Sequence, residues 1–272
     1  MSLGIYTVFH KALDERLVWA QFSAEEVERF FIPYAVNAQV PDKRITGPDG
    51  QTALLRGAAR RVVVEYELDW HDPALQARGF LETSCYVHVL RNRLYQAFDF
   101  VGVTQYDMNW PAPAAALLRS LAADGAARRG TIFGMDCGPL LDEDGEYQRL
   151  AFASVFDWDY LLFSYNRFFG RAWGMDALAG KPLTLFQTYI LPQAEFVALA
   201  GWLEALCGEV YPWANQPPRP THWGALSGYA ERAEALFVAA RLHEGRFEFQ
   251  TLPLEHDDSI PVRLGVPKTH YG

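Results

Sequence analysis

Asp107-Met-Asn109 closes the apolar run Phe98-Asp-Phe-Val-Gly-Val-Thr-Gln-Tyr106, and its carboxylate and amide stand two positions apart. Side chains at i and i+2 of an extended chain point to the same side, so the two oxygens can share one divalent cation or one ribose. The same residue types also close turns, and both readings stay open. His10 and Lys11 follow a second such run, Gly4-Ile-Tyr-Thr-Val-Phe-His10, and Asp136 ends a third, Thr131-Ile-Phe-Gly-Met-Asp136. Asp136 is an alternative metal ligand or base.

Four further sets of residues could do chemistry. Asp157 and Asp159 flank Trp158, and strand alternation would put both acids on one face to hold hydroxyl groups, with the ring turned away. His222 and Trp223, after the turn Asn215-Gln-Pro-Pro-Arg-Pro220, offer a metal ligand and a stacking face. Glu231-Arg232 pairs a carboxylate able to deprotonate a hydroxyl with a cation that could equally form an ion pair on one helix. Residues Glu82 to His88 could also line the site, although a histidine on an aromatic helix more often serves the core.

The elements that must position these residues alternate between strand and helix. The apolar run Phe98–Tyr106 reads as a buried parallel strand, and further strands are expected at Gly4–His10, Ile32–Asn37, Arg61–Leu68, Thr131–Asp136 and Phe186–Leu191. Between them Ser23 with Glu26 forms a capping box, and the 3–4 spacing of Tyr86, Val89, Leu90 and Leu94 predicts a helix over Glu82–Leu94. Further helices are expected over Pro113–Ala127, from Pro192 through Cys207, and over Gly228–Leu242, with an irregular loop at Pro41–Gly50 and a strand with an irregular end in the tail Pro253–Gly272. This order predicts an α/β domain, in which ligands sit beyond the carboxyl ends of the strands. Asp107, His10, Lys11 and Asp136 all fall there.

Composition narrows the function classes. Half of the 272 residues are apolar, enough for one large core. A formal charge of −9 argues against duplex nucleic acid as the main partner. Cys85, Cys137 and Cys207 are widely spaced and suggest neither a disulfide framework nor a cysteine zinc site. Asp142 to Glu146 lacks the spaced ligands of a calcium loop and reads as a solvated acidic loop. That cysteine usage predicts a reducing, cytoplasmic chain, and with no secretory leader and no transmembrane segment expected, a soluble one.

Four segments occur in an informative order: Ile5-Tyr-Thr-Val-Phe-His-Lys11, Cys85-Tyr-Val-His-Val-Leu-Arg-Asn92, Val101-Gly-Val-Thr-Gln-Tyr106 and Gly228-Tyr-Ala-Glu-Arg232. Together they resemble a bacterial family of glycosyltransferase-like domains associated with capsular and other surface-polysaccharide loci. That family opens with a strand ending in His-Lys, has an aromatic helix ending in Lys-Asn and a Val-Gly-Leu-x-His-Tyr-Arg-Arg strand, and closes with a Gly-Phe-x-x-Glu-Arg-Leu helix. Here Gln105-Tyr-Asp-Met108 replaces His-Tyr-Arg-Arg, and Ala233 stands in place of the final Leu.

The resemblance implies one domain over residues 1–272 with a GT-A-like mixed, mainly parallel sheet flanked by helices and a more helical C-terminal half. Residues 1–140 or so would form the nucleotide-sugar half and the rest the acceptor half. It implies transfer of a sugar from a nucleotide-sugar donor to a saccharide or surface-glycan acceptor. His10, Lys11, Asp107 and Asn109 would bind the donor, with Mn2+ or Mg2+ on Asp107 and Asn109. Glu231 and Asp136 would be catalytic, and Asp157, Asp159 and Trp223 would bind the acceptor. The chain would work in the cytoplasm, with peripheral attachment at the inner face of the membrane open. The alternative is a non-catalytic binding or scaffold protein of a polysaccharide assembly.

Overall fold

The computed structural model describes residues 2–40, 42–55, 61–142, 158–214 and 225–265. Its strands are β1 (Leu3–Phe9), β2 (Ala12–Asp14), β3 (Phe31–Ala35), β4 (Arg44–Thr46), β5 (Thr52–Leu54), β6 (Val63–Val64), β7 (Phe100–Gln105), β8 (Met108–Asn109), β9 (Thr131–Pro139), β10 (Pro182–Pro192), β11 (Glu248–Thr251) and β12 (Glu255–His256). The helices are α1 (Glu15–Val18), α2 (Ala24–Phe30), α3 (Pro73–Ala77), α4 (Thr83–Arg91), α5 (Ala112–Asp124), α6 (Trp158–Phe169), α7 (Gln193–Ala214), α8 (Ala225–His243) and α9 (Ser259–Arg263).

Among the described residues seven strands make the central sheet, in the order β11-β9-β10-β7-β1-β3-β6. β1 pairs in parallel with β3 and β7, β3 with β6, and β9 with β11. Among the described strands of this sheet, β10 alone runs against its neighbours, β7 and β9. The carboxyl ends of the parallel strands therefore open on one edge, and the amino-terminal half of β10 reaches that edge from the opposite direction. Small sheets of β2-β4-β5 and β8-β12 border the same edge.

The sheet is buried on both faces, as the continuous apolar runs require. Tyr6, Val8, Tyr34, Val101 and Val103 point to one side, against Tyr86 of α4, Tyr165 of α6, Phe196 and Trp202 of α7, and Phe237 of α8. Ile5, Phe9, Phe31 and Phe100 point to the other, against Trp19, Trp110 and Leu118 of α5. Alternation along β1 thus feeds two cores. The expected mixed, mainly parallel sheet flanked by helices is the fold found, and α6, α7 and α8 lie in the C-terminal half on one face.

Local signals placed several elements. Ser23 Oγ accepts from the Glu26 amide and Glu26 returns a bond to the Ser23 amide, so the capping box starts α2. Asp72 caps α3, with Pro73 at its first position.

Three expectations are corrected. The strand expected over Arg61–Leu68 shrinks to Val63–Val64, because a 3-10 turn at Glu65–Glu67 follows and the Glu65 side chain turns inward to accept from Ser84 Oγ and meet His88 Nδ1. The loop expected over Pro41–Gly50 contains β4, whose Ile45 is buried. Strand alternation around Asp159 is replaced by the first turn of α6, since Trp158, Leu161, Leu162 and Tyr165 are buried at helical spacing. Asp157, Trp223, His222 and the acidic loop from residue 143 lie outside the described residues. No helix among the described residues is long and apolar enough to cross a membrane.

Candidate functional site

β7 delivers Asp107 to the carboxyl edge of the sheet. Its Oδ2 lies 3.2 Å from His256 Nε2 of β12, while Oδ1 is buried without a hydrogen-bond partner. The Asp107 carbonyl also accepts from the Asp257 amide at 2.9 Å, which pins the chain after β12 against β7. A buried carboxylate oxygen without a donor is costly, and such a group marks a place where a ligand can bind.

Asn109 turns elsewhere. Its Nδ2 donates to Glu255 Oε2 at 3.1 Å within the β8–β12 pair. His256, which sequence reasoning missed, takes the place beside Asp107. The only local hint was a histidine among acids, Glu255-His256-Asp257-Asp258; the pairing itself depends on the fold.

The second side of the site is a bulge in β10. The pairing register shifts between Thr184 and Tyr189, and Phe186 and Gln187 adopt left-handed backbone conformations with φ of 67° and 47°. Left-handed geometry strains a residue with a Cβ, and here the surroundings enforce it. Glu231 Oε1 accepts from the Phe186 amide, Gln105 Nε2 donates to the Phe186 carbonyl at 3.1 Å, and Tyr86 Oη donates to the Gln187 carbonyl at 2.9 Å. The bulge lays the Phe186 ring on the His256 imidazole, with centroids 4.8 Å apart and planes 30° from parallel.

α8 supplies Glu231, whose Oε2 also accepts from Arg232 Nη1. The Glu231 side chain is 17% exposed and that of Asp107 12%, so both are enclosed yet open to solvent on one side. Burial raises the Glu231 pKa above the usual carboxylate value, while Arg232, the Phe186 amide and His256 pull the other way. Glu82, just before α4, completes the group. It is half-buried and accepts at Oε2 from Ser227 Oγ at 3.2 Å. Burial pushes its pKa up to about 7, its own backbone amide opposing, with Asp107 and Glu231 adding to the rise and Ser227 opposing it.

Beneath the bulge, Gln187 Nε2 donates to Thr83 Oγ1 at 2.7 Å and Glu234 Oε1 at 3.1 Å. Burial lifts Glu234 well above its ordinary value.

The other expected residues sit apart from this core. The His10 ring stands edge-on to Tyr106 at 5.2 Å. Lys11 Nζ donates to the Gly265 carbonyl at 2.5 Å. Asp136 does not end its strand as expected: β9 runs on to Pro139, and the exposed Asp136 accepts from the Gly138 amide at 2.9 Å. Asp159 is exposed in the first turn of α6, where a helix dipole favours an acid. His88 is a core residue: it is fully buried, with Nε2 accepting from the Asp72 amide at 2.9 Å and Nδ1 facing Glu65.

No protein-family model matches the chain, and neither does any curated protein. Its fold is similar to that of the WbbM bifunctional glycosyltransferase in its apo form, with a TM-score of 0.55 at 11% identity over 95% of this chain. The chain spans 46% of that protein, about half its length. The mannosyltransferase Ktr4p from S. cerevisiae, in complex with GDP, aligns over 91% of this chain and 69% of its own at 8% identity, with a TM-score of 0.40.

Proposed function

We propose that this chain transfers a sugar from a nucleoside-diphosphate donor to a hydroxyl of a saccharide or surface-glycan acceptor. The observation that carries this reading is the convergence at the carboxyl end of β7. There the partnerless Asp107 oxygen, His256, Glu231 and Glu82 come together on a glycosyltransferase-like sheet. In open α/β sheets this edge receives the ligand.

The reaction needs two things. Negative charge building on the departing diphosphate has to be stabilised, and the acceptor hydroxyl has to lose a proton as it attacks the anomeric carbon. Asp107 and His256 would hold a divalent cation: a buried carboxylate oxygen without a partner and an imidazole stand together at this strand end. Bound there, Mn2+ or Mg2+ would supply positive charge against the departing phosphates. No set of three or more ligating side chains occurs among the described residues, so donor phosphates and water would complete the shell, as is usual for magnesium. Asn109, oriented by Glu255, supports β12 in this reading, and His10 and Lys11 flank the donor at the end of β1. The chain acts in the cytoplasm on acceptors presented at the inner face of the membrane.

A thermal-shift series with UDP, GDP and dTDP and their sugar conjugates, with and without Mn2+, tests this. One nucleotide at a hundredfold excess over its Kd should raise Tm by about 5–10 °C, and Asp107→Ala should abolish the rise. No rise with any of them overturns the donor site. Binding without release of nucleoside diphosphate from any conjugate would instead support a non-catalytic binding module.

A further inference from the structure

Two carboxylates compete for the acceptor's proton, and their hydrogen bonds separate them. Glu231 is best satisfied when ionised. Its Oε1 accepts from the Phe186 amide and its Oε2 from the Arg232 guanidinium, and neither partner can accept a hydrogen bond. A proton on either oxygen would find no acceptor in these partners and would weaken the bond that oxygen accepts. Glu231 thus holds the strained Phe186-Gln187 bulge in place.

Glu82 is satisfied in both states. Ser227 Oγ stands 3.2 Å from Glu82 Oε2 and 3.3 Å from Gln187 Oε1, and a hydroxyl has one hydrogen to donate and lone pairs to accept. With Glu82 ionised, the Ser227 hydrogen points to Glu82. With Glu82 protonated, the Glu82 hydroxyl donates to Ser227, and the Ser227 hydrogen turns to Gln187. The Gln187 amide is held for this, because its nitrogen is anchored on Thr83 and Glu234, which leaves its oxygen toward Ser227.

We propose that Glu82, with Ser227 as its adaptable partner, is the catalytic base, and that Glu231 is a positioning residue; this rests on the transferase reading above. In the step, the acceptor oxygen bonds to the anomeric carbon and its proton passes to Glu82. The bond from that carbon to the donor's phosphate oxygen breaks, and its electron pair leaves on the nucleoside diphosphate. Glu82 then gives the proton to solvent, to which it is half open. Its charged and titratable surroundings are Asp107 at the end of β7, Glu231 and Glu234 of α8, and Cys85 of α4.

The test compares Glu82→Gln, Ser227→Ala and Glu231→Gln with the parent chain. Nucleoside diphosphate release from UDP-galactose, UDP-glucose and GDP-mannose with Mn2+ is followed across pH 5–9, and carboxyl infrared bands of the free protein are recorded over the same range. Glu82→Gln should lower kcat by about 100-fold or more, leave donor KM within about threefold and remove the acidic limb of the kcat profile. Ser227→Ala should shift that limb, and Glu231→Gln should keep it. In the infrared series one protonated-carboxyl band should titrate in the parent and be missing in Glu82→Gln. Turnover and an acidic limb that survive Glu82→Gln overturn the base assignment while leaving the transferase reading intact. No turnover by the parent chain overturns both, and absence of a titrating Glu82 band overturns the assignment without any substrate.

Discussion

Asp107 Oδ2 and His256 Nε2 lie 3.2 Å apart across 149 positions of sequence, and this contact fixes where the tail crosses the end of β7. The Phe186 ring covers the other side of the same imidazole, so one histidine joins the strand-end acid to the β10 bulge.

His256→Ala and Asp107→Asn should each weaken Mn2+ binding by at least tenfold, about 1.4 kcal/mol. Titration of the free protein with Mn2+ checks this. Asn109→Ala, which removes only the Glu255 contact, should leave Mn2+ affinity close to that of the parent; an equal loss in all three variants would count against the Asp107–His256 pair.

Phe186→Gly should separate stability from activity. The left-handed backbone at φ 67° costs a residue with a Cβ about 1–2 kcal/mol, which glycine recovers while losing the half-buried ring and its stack on His256. Tm should stay within about 3 °C of the parent, while kcat/KM for the donor falls by about tenfold or more. Equal activity in the variant would show that the ring does not position His256.

Glu82 should give the protein a pH-dependent stability. Its pKa in the folded chain rises to about 7 from the usual carboxylate range near 4.5. Between these values the folded state holds a proton that the unfolded state has released, so this contribution is full below about pH 4.5 and is lost as pH rises through about 7. The ceiling is about 1.4 kcal/mol per pH unit, reduced here because the side chain is half open to water. Glu82→Gln should therefore gain Tm relative to the parent at pH 8 but not at pH 4, as paired thermal melts would show.

Gly102→Ala should destabilise the sheet. A Cβ there would lie 3.0 Å from Ile5 Cγ1, 3.1 Å from the Tyr189 carbonyl oxygen and 3.2 Å from Ile190 Cγ1. Two neighbouring strands would have to give way, at about 1–3 kcal/mol, lowering Tm by about 2–10 °C. An unchanged melting curve would show that β1 and β10 separate more easily than their packing suggests.

What could be read along the chain was what neighbouring residues decide among themselves. The Ser23–Glu26 capping box and the apolar run of β7 each depend on contacts a few residues long, so residue types sufficed to place them. Glu65 shows the limit: its β-branched neighbours read as strand, but a buried bond to His88, 23 positions away, bends the backbone into a 3-10 turn. Asp159 shows another, since a pair of acids spaced by two suits a strand edge until the burial of Trp158, Leu161 and Tyr165 makes the segment a helix.

By itself the sequence determined that this is an α/β chain with Asp107 at a strand end, because periodicity and turn chemistry are local. Only the tertiary structure decided that His256 rather than Asn109 stands beside that acid, that Glu231 braces a strained bulge, and that Ser227 reaches Glu82 across 145 positions. Those partnerships follow from strand order and from which buried polar atoms find donors, and both are properties of the packed whole.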